Sequence, residues 1–374
     1  MDVLVIGGGL AGCATAWYLA RDGVSVRLVE RSELNLQASG SNAGSLHAQI
    51  QHEPFCREGR GWTEAFLPAL PFFAWSIKLW SGIEAQLAVD LQVVIRGGII
   101  VAASAEEMRQ VEAKTAYEQR AGIATELLDR SALLARAPYL TSKVVGGAFC
   151  PLEGKSNPLL AAPAFAAAAI AAGASLMTGT EVQQIQRRNG KFDVSTSKGT
   201  LRADRIVNAA GIDAGKIAAL VGRQLSVKAF PIQLSVTEAV APLVSHLVYS
   251  AGSMLTLKQA SNGTILIGGG WPADVDAQLR PQVSAASLSR NLAAAISVVP
   301  SLADVNIARC WAAVVNGTDD WLPVLGELPE CPGFFMNYVP WMGFTGGPGG
   351  AQIVASLVQG KQAPVDFDIA AFAP

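Results

Sequence analysis

Residues 2–30 read DVLVIGGGLAGCATAWYLARDGVSVRLVE, and the fold class can be inferred from this segment. The short apolar run Asp2–Ile6 is rich in β-branched residues and predicts a buried parallel strand. Ala11–Ala20 predicts a helix that ends near Gly23, and Val24–Val29 predicts a second strand. Strand, helix and strand in this order predict a β–α–β crossover, the unit from which doubly wound α/β sheets are built.

The turn between the first strand and the helix carries Gly7, Gly9 and Gly12 in G-x-G-x-x-G spacing. In such a turn the first glycine makes the bend, the second lets backbone approach a pyrophosphate, and the third lets helix and strand pack closely. The helix N-terminus offers amide groups and the positive end of its dipole to phosphates. Glu30, at the end of the second strand, can accept both hydroxyls of a ribose and disfavours the 2′-phosphate of NADP. The stretch predicts dinucleotide binding, and the alternative is a plain glycine-rich loop of an α/β protein.

The composition favours a globular protein of two domains. The chain has 374 residues, of which 51% are hydrophobic and 16% charged, and its net charge of −2 with no basic run predicts no nucleic-acid binding. Its five cysteines form no C-x-x-C pair, which favours reduced thiols in a cytoplasmic setting over disulfides or a zinc site. No signal peptide is expected. The longest apolar run, Leu159–Ala174, is interrupted by Pro163 and predicts a buried helix rather than a transmembrane segment.

The residues after the second strand extend the dinucleotide motif. Arg31 follows Glu30, and the small polar segment ASGSNAGSL, Ala38–Leu46, can thread close to a large flat ligand. With the glycine turn, this Glu-Arg pair and this loop resemble those of the D-amino acid oxidase superfamily, which includes glycine oxidase, sarcosine oxidase and the heteromeric proline and opine dehydrogenases. The resemblance implies FAD rather than NAD as the cofactor.

The resemblance continues through the rest of the chain. Near the C-terminus, Thr318, Asp320 and Pro323 match a T-x-D-x-x-P-like core. The fold implied is α/β: a Rossmann-like FAD-binding domain of the glutathione-reductase type, with a second α+β substrate domain built on an antiparallel sheet. The predicted FAD-binding domain is discontinuous, at residues 1–55, 143–226 and 310–374, and the substrate domain comprises residues 56–142 and 227–309.

The motif and the resemblance together assign a set of residues to the cofactor. A glycine-rich turn at the flavin ring is expected to precede a last helix, Ala351–Gln359. Some relatives attach FAD through a cysteine, but Cys310 lies too far from Asp320 for that pattern, so the FAD is expected to be non-covalent. The predicted cofactor residues are Gly7, Gly9, Leu10, Ala11, Gly12, Glu30, Arg31, Ser39, Gly40, Asn42, Ala43, Gly44, Ser45, Leu46, Val182, Ala210, Gly211, Gly343, Phe344, Thr345 and Gly347.

The residues that would meet the substrate are less clearly marked. His47 directly follows the flavin-side loop and is the candidate catalytic residue, because the ordinary pKa of histidine suits proton transfer near neutrality. The alternative is a histidine hydrogen-bonded to the loop that it follows. Pocket-lining roles are predicted for Trp341 and Met342, and also for Tyr249 and Trp271; core packing is the alternative. No metal site is predicted, because the chain has no cluster of metal ligands.

One departure from the relatives concerns the substrate carboxylate. Amino-acid oxidases of this type place an arginine before the T-x-D-x-x-P-like core, whereas Val315 occupies that position here. Arg96, Lys258 or Arg309 could take its place. The departure resembles the β subunits of the heteromeric dehydrogenases, which pass electrons to a partner subunit.

The sequence therefore predicts an FAD-dependent oxidoreductase that oxidises the C–N bond of an amino or imino acid: a D-amino acid, a proline-like compound or an opine. Hydride transfer to flavin would leave an imine, which is then hydrolysed. The alternatives are an NAD-dependent dehydrogenase and a non-catalytic flavoprotein subunit of a heteromeric dehydrogenase. The expected partners are the small substrate and an electron-accepting subunit. The expected location is the cytoplasm, with membrane association only through a partner.

Overall fold

The computed structural model of the protein describes all 374 residues. The helices are α1 Leu10–Arg21, α2 Ala38–Ser41, α3 His52–Phe66, α4 Ala69–Leu87, α5 Ala105–Arg120, α6 Arg130–Arg136, α7 Pro158–Ala171, α8 Ala214–Ala219, α9 Ala285–Val298 and α10 Gly343–Val358. The strands are β1 Asp2–Ile6, β2 Ser25–Val29, β3 Ser45–Leu46, β4 Val94–Ile95, β5 Gly98–Ala102, β6 Glu126–Asp129, β7 Gly146–Cys150, β8 Gly154–Lys155, β9 Ser175–Met177, β10 Val182–Arg188, β11 Lys191–Thr196, β12 Gly199–Ala203, β13 Arg205–Asn208, β14 Lys228–Thr237, β15 Leu247–Ser250, β16 Thr256–Gln259, β17 Ile265–Gly268, β18 Asp274–Val275, β19 Pro281–Gln282, β20 Ile307–Gly317, β21 Val324–Glu327 and β22 Phe334–Tyr338.

The first sheet confirms the predicted β–α–β opening. Its six strands run in the order β21-β22-β13-β1-β2-β9, and all neighbours are parallel except β21 with β22. Strand β1 is central and nearly all buried, which explains its unbroken apolar sequence. Helix α1 packs against α7 and α10 beside this sheet. The carboxyl ends of β1, β2, β13 and β22 therefore meet at one edge, where ligands of open α/β sheets bind.

The second sheet has eight strands in the order β20-β14-β17-β16-β15-β5-β7-β6. It is antiparallel as predicted, except that β15 pairs with β5 in parallel. The long strands β14 and β20 pair along ten registered positions and form the edge nearest the first sheet's loops. The fold class, a Rossmann-like α/β unit joined to an α+β unit, is confirmed.

The predicted domain ranges remain a prediction. Strands β7 and β20 belong to the second sheet, although β7 and most of β20 lie in ranges predicted for the FAD-binding domain. Helix α4, in a range predicted for the substrate domain, packs against α10 in the largest buried core. No helix combines the length and the apolar character that a membrane crossing needs.

The last helix begins earlier than the sequence predicted. The expected glycine-rich turn forms the first turns of α10, which starts at Gly343 rather than at Ala351. Its glycines let neighbouring elements come close: a Cβ on Gly346 would lie 2.8 Å from Phe72, and one on Gly349 would lie 2.8 Å from Ser76. Close packing against α4, rather than a turn, explains why glycine is needed here.

Candidate functional site

A cleft of about 320 Å³ lies at the carboxyl edge of the first sheet. Its wall contains the glycine turn, the ends of β2 and β13, part of the loop after β2, and the start of α10. Thirteen of the predicted cofactor residues line it: Gly7, Gly9, Leu10, Ala11, Glu30, Arg31, Ser39, Asn42, Val182, Ala210, Gly211, Gly343 and Phe344. Segments far apart in the sequence thus form one elongated cleft.

The N-terminus of α1 is left open toward this cleft. Its N-cap is Gly9, which provides no side-chain hydrogen bond to the first turn, and a hydroxyl reaches only the amide of Leu10, from Ser39 at 3.0 Å. At the other end, the Glu30 carboxylate accepts hydrogen bonds from the Gly8 and Ser32 amides at 2.7 and 2.9 Å. Free amides and a fixed carboxylate fit a diphosphate and a ribose.

Close backbone contacts explain why glycine occupies two positions of the turn. A Cβ on Gly12 would lie only 1.9 Å from the carbonyl oxygen of Gly7, so α1 could not approach β1 with any larger residue. Gly7 itself has φ of +115° and lies against the carbonyl of Ala209. Gly12 does not line the cleft, so its role is to bring the other residues of the turn into place.

The loop after β2 is built by side-chain hydrogen bonds to its own backbone. The Asn42 amide donates to the carbonyl of Ser39 at 2.7 Å, and its oxygen accepts from the Gly44 amide at 2.6 Å. A Cβ on Gly40 would lie 2.0 Å from the carbonyl of Asn35, and one on Gly44 would lie 2.1 Å from that of Ser156. Glycine at these two positions therefore lets the loop pack tightly against its neighbours.

A second and larger cavity of about 1220 Å³ adjoins the cleft. Four residues, Asn42, Val315, Trp341 and Phe344, line both spaces, so the cleft and the cavity meet at a junction formed by these side chains. Ala43, Ser45 and Thr345, predicted to lie beside the flavin, line the cavity alone. The predicted cofactor residues are therefore divided between the cleft and the cavity.

Some of the predicted cofactor residues line neither space. They pack the structure around the two cavities instead, and they are Gly12, Gly40, Gly44, Leu46 and Gly347. A Cβ on Gly347, for example, would lie 2.8 Å from the side chain of Leu10 at the start of α1. These residues support the site from behind and do not form its surface.

The cavity brings together several of the predicted substrate residues. His47, Tyr249, Trp341 and Met342 line it, whereas Trp271 does not. The indole of Trp271 donates to the carbonyl of Met254 at 2.6 Å and packs beneath Arg290, in a structural role.

The three cations considered as replacements for the missing arginine lie elsewhere. Arg96 and Lys258 line a separate small pocket, and Arg309 is exposed on β20. Cys310 also lies outside both main cavities.

Sequence reasoning missed part of the cavity wall. Phe230 packs on the indole of Trp341 with ring centroids 4.3 Å apart, and Trp321 stacks on Trp341 at 4.5 Å. The only Arg and Lys side chains on the wall are Arg57 and Lys228, and both are ion-paired with carboxylates. The part of the wall around Trp341 is thus aromatic and holds no unpaired Arg or Lys side chain to receive a carboxylate.

The environment of His47 differs from the predicted one. Burial, with the nearby ammonium of Lys258, lowers the pKa of His47 to about 3, so the ring is neutral at physiological pH. Its Nδ1 lies 2.7 Å from the Tyr249 hydroxyl, and its backbone amide donates to Thr345 Oγ1 at 3.0 Å. The ring is fixed as a neutral hydrogen-bonding group and is not poised to exchange protons near pH 7.

Burial of histidines in this cavity predicts a loss of stability in acid. Burial and the charge of Lys114 lower the pKa of His52 to about 4, from an ordinary value of 6.5. In the unfolded chain His52 binds a proton near pH 6.5, whereas in the folded chain it stays neutral until about pH 4. The free energy of unfolding therefore falls as the pH drops from 6.5 toward 4. We expect His52→Asn to show a shallower fall of Tm over this range than the unmodified protein. Parallel Tm curves for the two proteins would contradict this expectation.

Comparison with known proteins extends the geometric picture. The family model described as FAD dependent oxidoreductase (DAO) matches residues 2–357. The chain is 30% identical over 343 residues to a component of the opine oxidase of Agrobacterium tumefaciens (strain Ach5), covering 90% of this chain and 87% of that one. It is 25% identical to the beta chain of the sarcosine oxidase of Rhizobium meliloti (strain 1021), over 88% and 77% of the two chains. The crystal structure of glycine oxidase from Geobacillus kaustophilus matches with a TM-score of 0.88 at 28% identity, over 100% of this chain and 97% of that chain.

Proposed function

Because the chain belongs to the DAO family of FAD-dependent oxidoreductases, we propose that it oxidises the carbon–nitrogen bond of an amino or imino acid that carries a large substituent on nitrogen, as opines do. The observation that carries this proposal is the cavity of about 1220 Å³ that adjoins the dinucleotide cleft. The flavin ring would fill part of this volume, because its predicted neighbours Ala43, Ser45 and Thr345 line the cavity, and the remainder would be open to a substrate with a large nitrogen substituent. Membership of this family also sets aside the NAD-dependent alternative.

The residues of the cleft fit the cofactor. The first-turn amides of α1 would bind the diphosphate, Glu30 would bind the adenosine ribose, and Asn42, Trp341 and Phe344 would surround the ring end. The chemistry that FAD would supply there is hydride acceptance from the carbon that bears the amine, and the resulting imine would be hydrolysed by water. The protein's contribution is to orient the amine and to exclude water from the junction.

His47 is proposed to orient the substrate amine. A neutral imidazole whose Nδ1 is held by Tyr249 has Nε2 left for the cavity, where it can accept a hydrogen bond from the amine N–H. A base with a pKa near 3 would remove protons poorly at pH 7, so the role is positioning of a neutral amine rather than general-base catalysis.

The apolar junction shapes the choice of substrate and partner. Val315 cannot pair with a carboxylate, and the aromatic surface of Phe230, Trp321 and Trp341 would contact the carbon skeleton of the substrate. Two of the relatives are named as single subunits of an opine oxidase and of a sarcosine oxidase, which supports a partner subunit as the electron acceptor. A cytoplasmic location remains a prediction.

The test is anaerobic mixing of the purified holoprotein with D-amino acids, L-proline, hydroxyprolines, sarcosine and opines, following the loss of oxidised-flavin absorbance. We expect opines to reduce the flavin fastest. Faster reduction by glycine or D-alanine would contradict a site built for a large substituent, and reduction by none would favour the non-catalytic flavoprotein. Repeating the reaction with oxygen and with a dye identifies the class of acceptor.

Replacing Glu30 by glutamine tests the proposed ribose contact. The change keeps the shape of the side chain but removes the charge, and hydrogen bonds to a charged group contribute about 1.5–3 kcal/mol. We expect the affinity of the apoprotein for FAD to fall by about 10- to 100-fold in a fluorescence titration. Glu33→Gln, an exposed neighbour outside the cleft, is the matched control. Equal FAD affinities of the two variants would place the ribose elsewhere.

A further inference from the structure

Two fully buried carboxylates lie behind the segment that carries His47. Glu153 Oε1 accepts hydrogen bonds from the amides of Ala48 and Gln49, at 2.8 and 2.9 Å. Glu118 accepts from the amide of Ile50 at 2.9 Å. Both side chains have no solvent exposure, so each carboxylate depends on these protein donors. Three successive amides of the segment after β3 are therefore anchored by acids from distant parts of the chain.

The orientation of the Gln49 side chain determines which hydrogen-bond donor faces Glu153 Oε2. The Lys114 ammonium, which can only donate, lies 3.1 Å from Gln49 Oε1 and also donates to Glu118. Gln49 must therefore turn its amide nitrogen toward Glu153, where it donates to Oε2 at 3.0 Å. Burial raises the pKa of Glu153, whereas the three N–H donors that it faces lower the pKa and favour the ionised carboxylate.

The remaining polar neighbour of Glu153 is the hydroxyl of Tyr249, whose pKa is raised by burial and by the adjacent Glu153 carboxylate. An ionised carboxylate can only accept, so Tyr249 donates its proton to Glu153. The Tyr249 oxygen is then free to accept from Nδ1–H of His47, 2.7 Å away. The chain of donors runs in one direction, from the imidazole through the phenol to the carboxylate.

We propose that Glu153, acting through Tyr249, is a positioning residue that holds His47 in the Nδ1–H tautomer, with the Nε2 lone pair presented to the substrate cavity. The inference deepens the proposed function, on which the substrate contact rests. If Glu153 were protonated, it would donate to Tyr249, and Tyr249 would donate to Nδ1 of His47. The His47 proton would then lie on Nε2, which could only donate a hydrogen bond to an amine. The choice of tautomer therefore decides whether the site can hold a neutral amine by its N–H.

The chain provides an internal control for this arrangement. The hydroxyl of Tyr139 lies 2.8 Å from Nδ1 of His246, a second tyrosine–histidine pair of nearly the same geometry. That pair lies outside the large cavity and has no buried carboxylate behind its tyrosine. Tyr139→Phe therefore removes the same kind of histidine-bonded hydroxyl as Tyr249→Phe, but at a site away from the large cavity.

The decisive experiment measures tautomers and needs no substrate. The chain has three histidines, so 15N-histidine labelling of the holoprotein gives three ring systems, assigned with His52→Asn and His246→Asn. Long-range 1H–15N spectra at neutral pH should show His47 as the Nδ1–H tautomer. Tyr249→Phe and Glu153→Gln should each move His47 toward Nε2–H, whereas Tyr139→Phe should leave it unchanged. An Nε2–H tautomer in the unmodified protein, or no change in either variant, overturns the proposal.

Turnover supplies a second readout once a substrate is found. We expect Tyr249→Phe and Glu153→Gln to lower the rate of flavin reduction at saturating substrate by at least about tenfold, with normal flavin content. A purely structural role would instead lower flavin content and leave the rate per flavin unchanged. If His47 is the Nδ1–H tautomer but no amine reduces the flavin, the proposed function is refuted while the assignment of the tautomer stands.

Discussion

Replacing Gly12 by alanine is expected to yield a protein that retains no flavin. The added Cβ would lie 1.9 Å from the carbonyl oxygen of Gly7, and both atoms belong to backbone or are fixed to it, so neither can rotate away. To relieve the contact, α1 must move off β1, which displaces the amides that would bind the diphosphate. Flavin absorbance per polypeptide and an FAD titration of the apoprotein measure the effect.

The matched control is Gly82→Ala in α4. Gly82 is also helical, but a Cβ there would find its nearest neighbour at 3.8 Å, on the flexible side chain of Gln86. This variant should bind FAD normally and gain up to about 1 kcal/mol from the better helix propensity of alanine. Circular dichroism distinguishes loss of flavin from loss of fold. A Gly12→Ala protein with full flavin content would show that the turn does not carry the cofactor.

The opening crossover could be predicted from sequence because its requirements are local. A tight bend, a close backbone approach and a ribose acceptor each demand a residue type at a fixed offset within residues 2–30. The start of α10 could not be predicted in the same way. Its glycines suggested a turn, whereas what they satisfy is contact with Phe72 and Ser76, far away in the sequence.

The substrate side of the site shows the same limit. Trp341 was found because it precedes the glycine-rich segment, but Phe230 and Trp321, which pack on it, have no local motif. His47 was found by its position after the loop, yet its low pKa depends on burial and on Lys258 of β16. Motifs can predict where the cofactor lies, but electrostatics that arise from distant strands require the folded structure.

Replacing His47 by asparagine should have the largest effect on the rate of flavin reduction. The asparagine amide can still donate to Tyr249 in place of Nδ1–H, while the acceptor corresponding to Nε2 is lost. An amine no longer held in the reactive orientation costs on the order of 100-fold in rate. We expect this loss at saturating substrate, with flavin content and Tm close to those of the unmodified protein.

His246→Asn provides the comparison that makes the result specific. It makes the same change in a histidine paired with Tyr139, away from the large cavity, and should leave the rate of flavin reduction unchanged. His47→Ala, which removes both ring nitrogens, should be at least as slow as His47→Asn. Near-normal reduction in either His47 variant would remove this histidine from the reaction. The junction would then act on the amine through its aromatic wall and backbone alone.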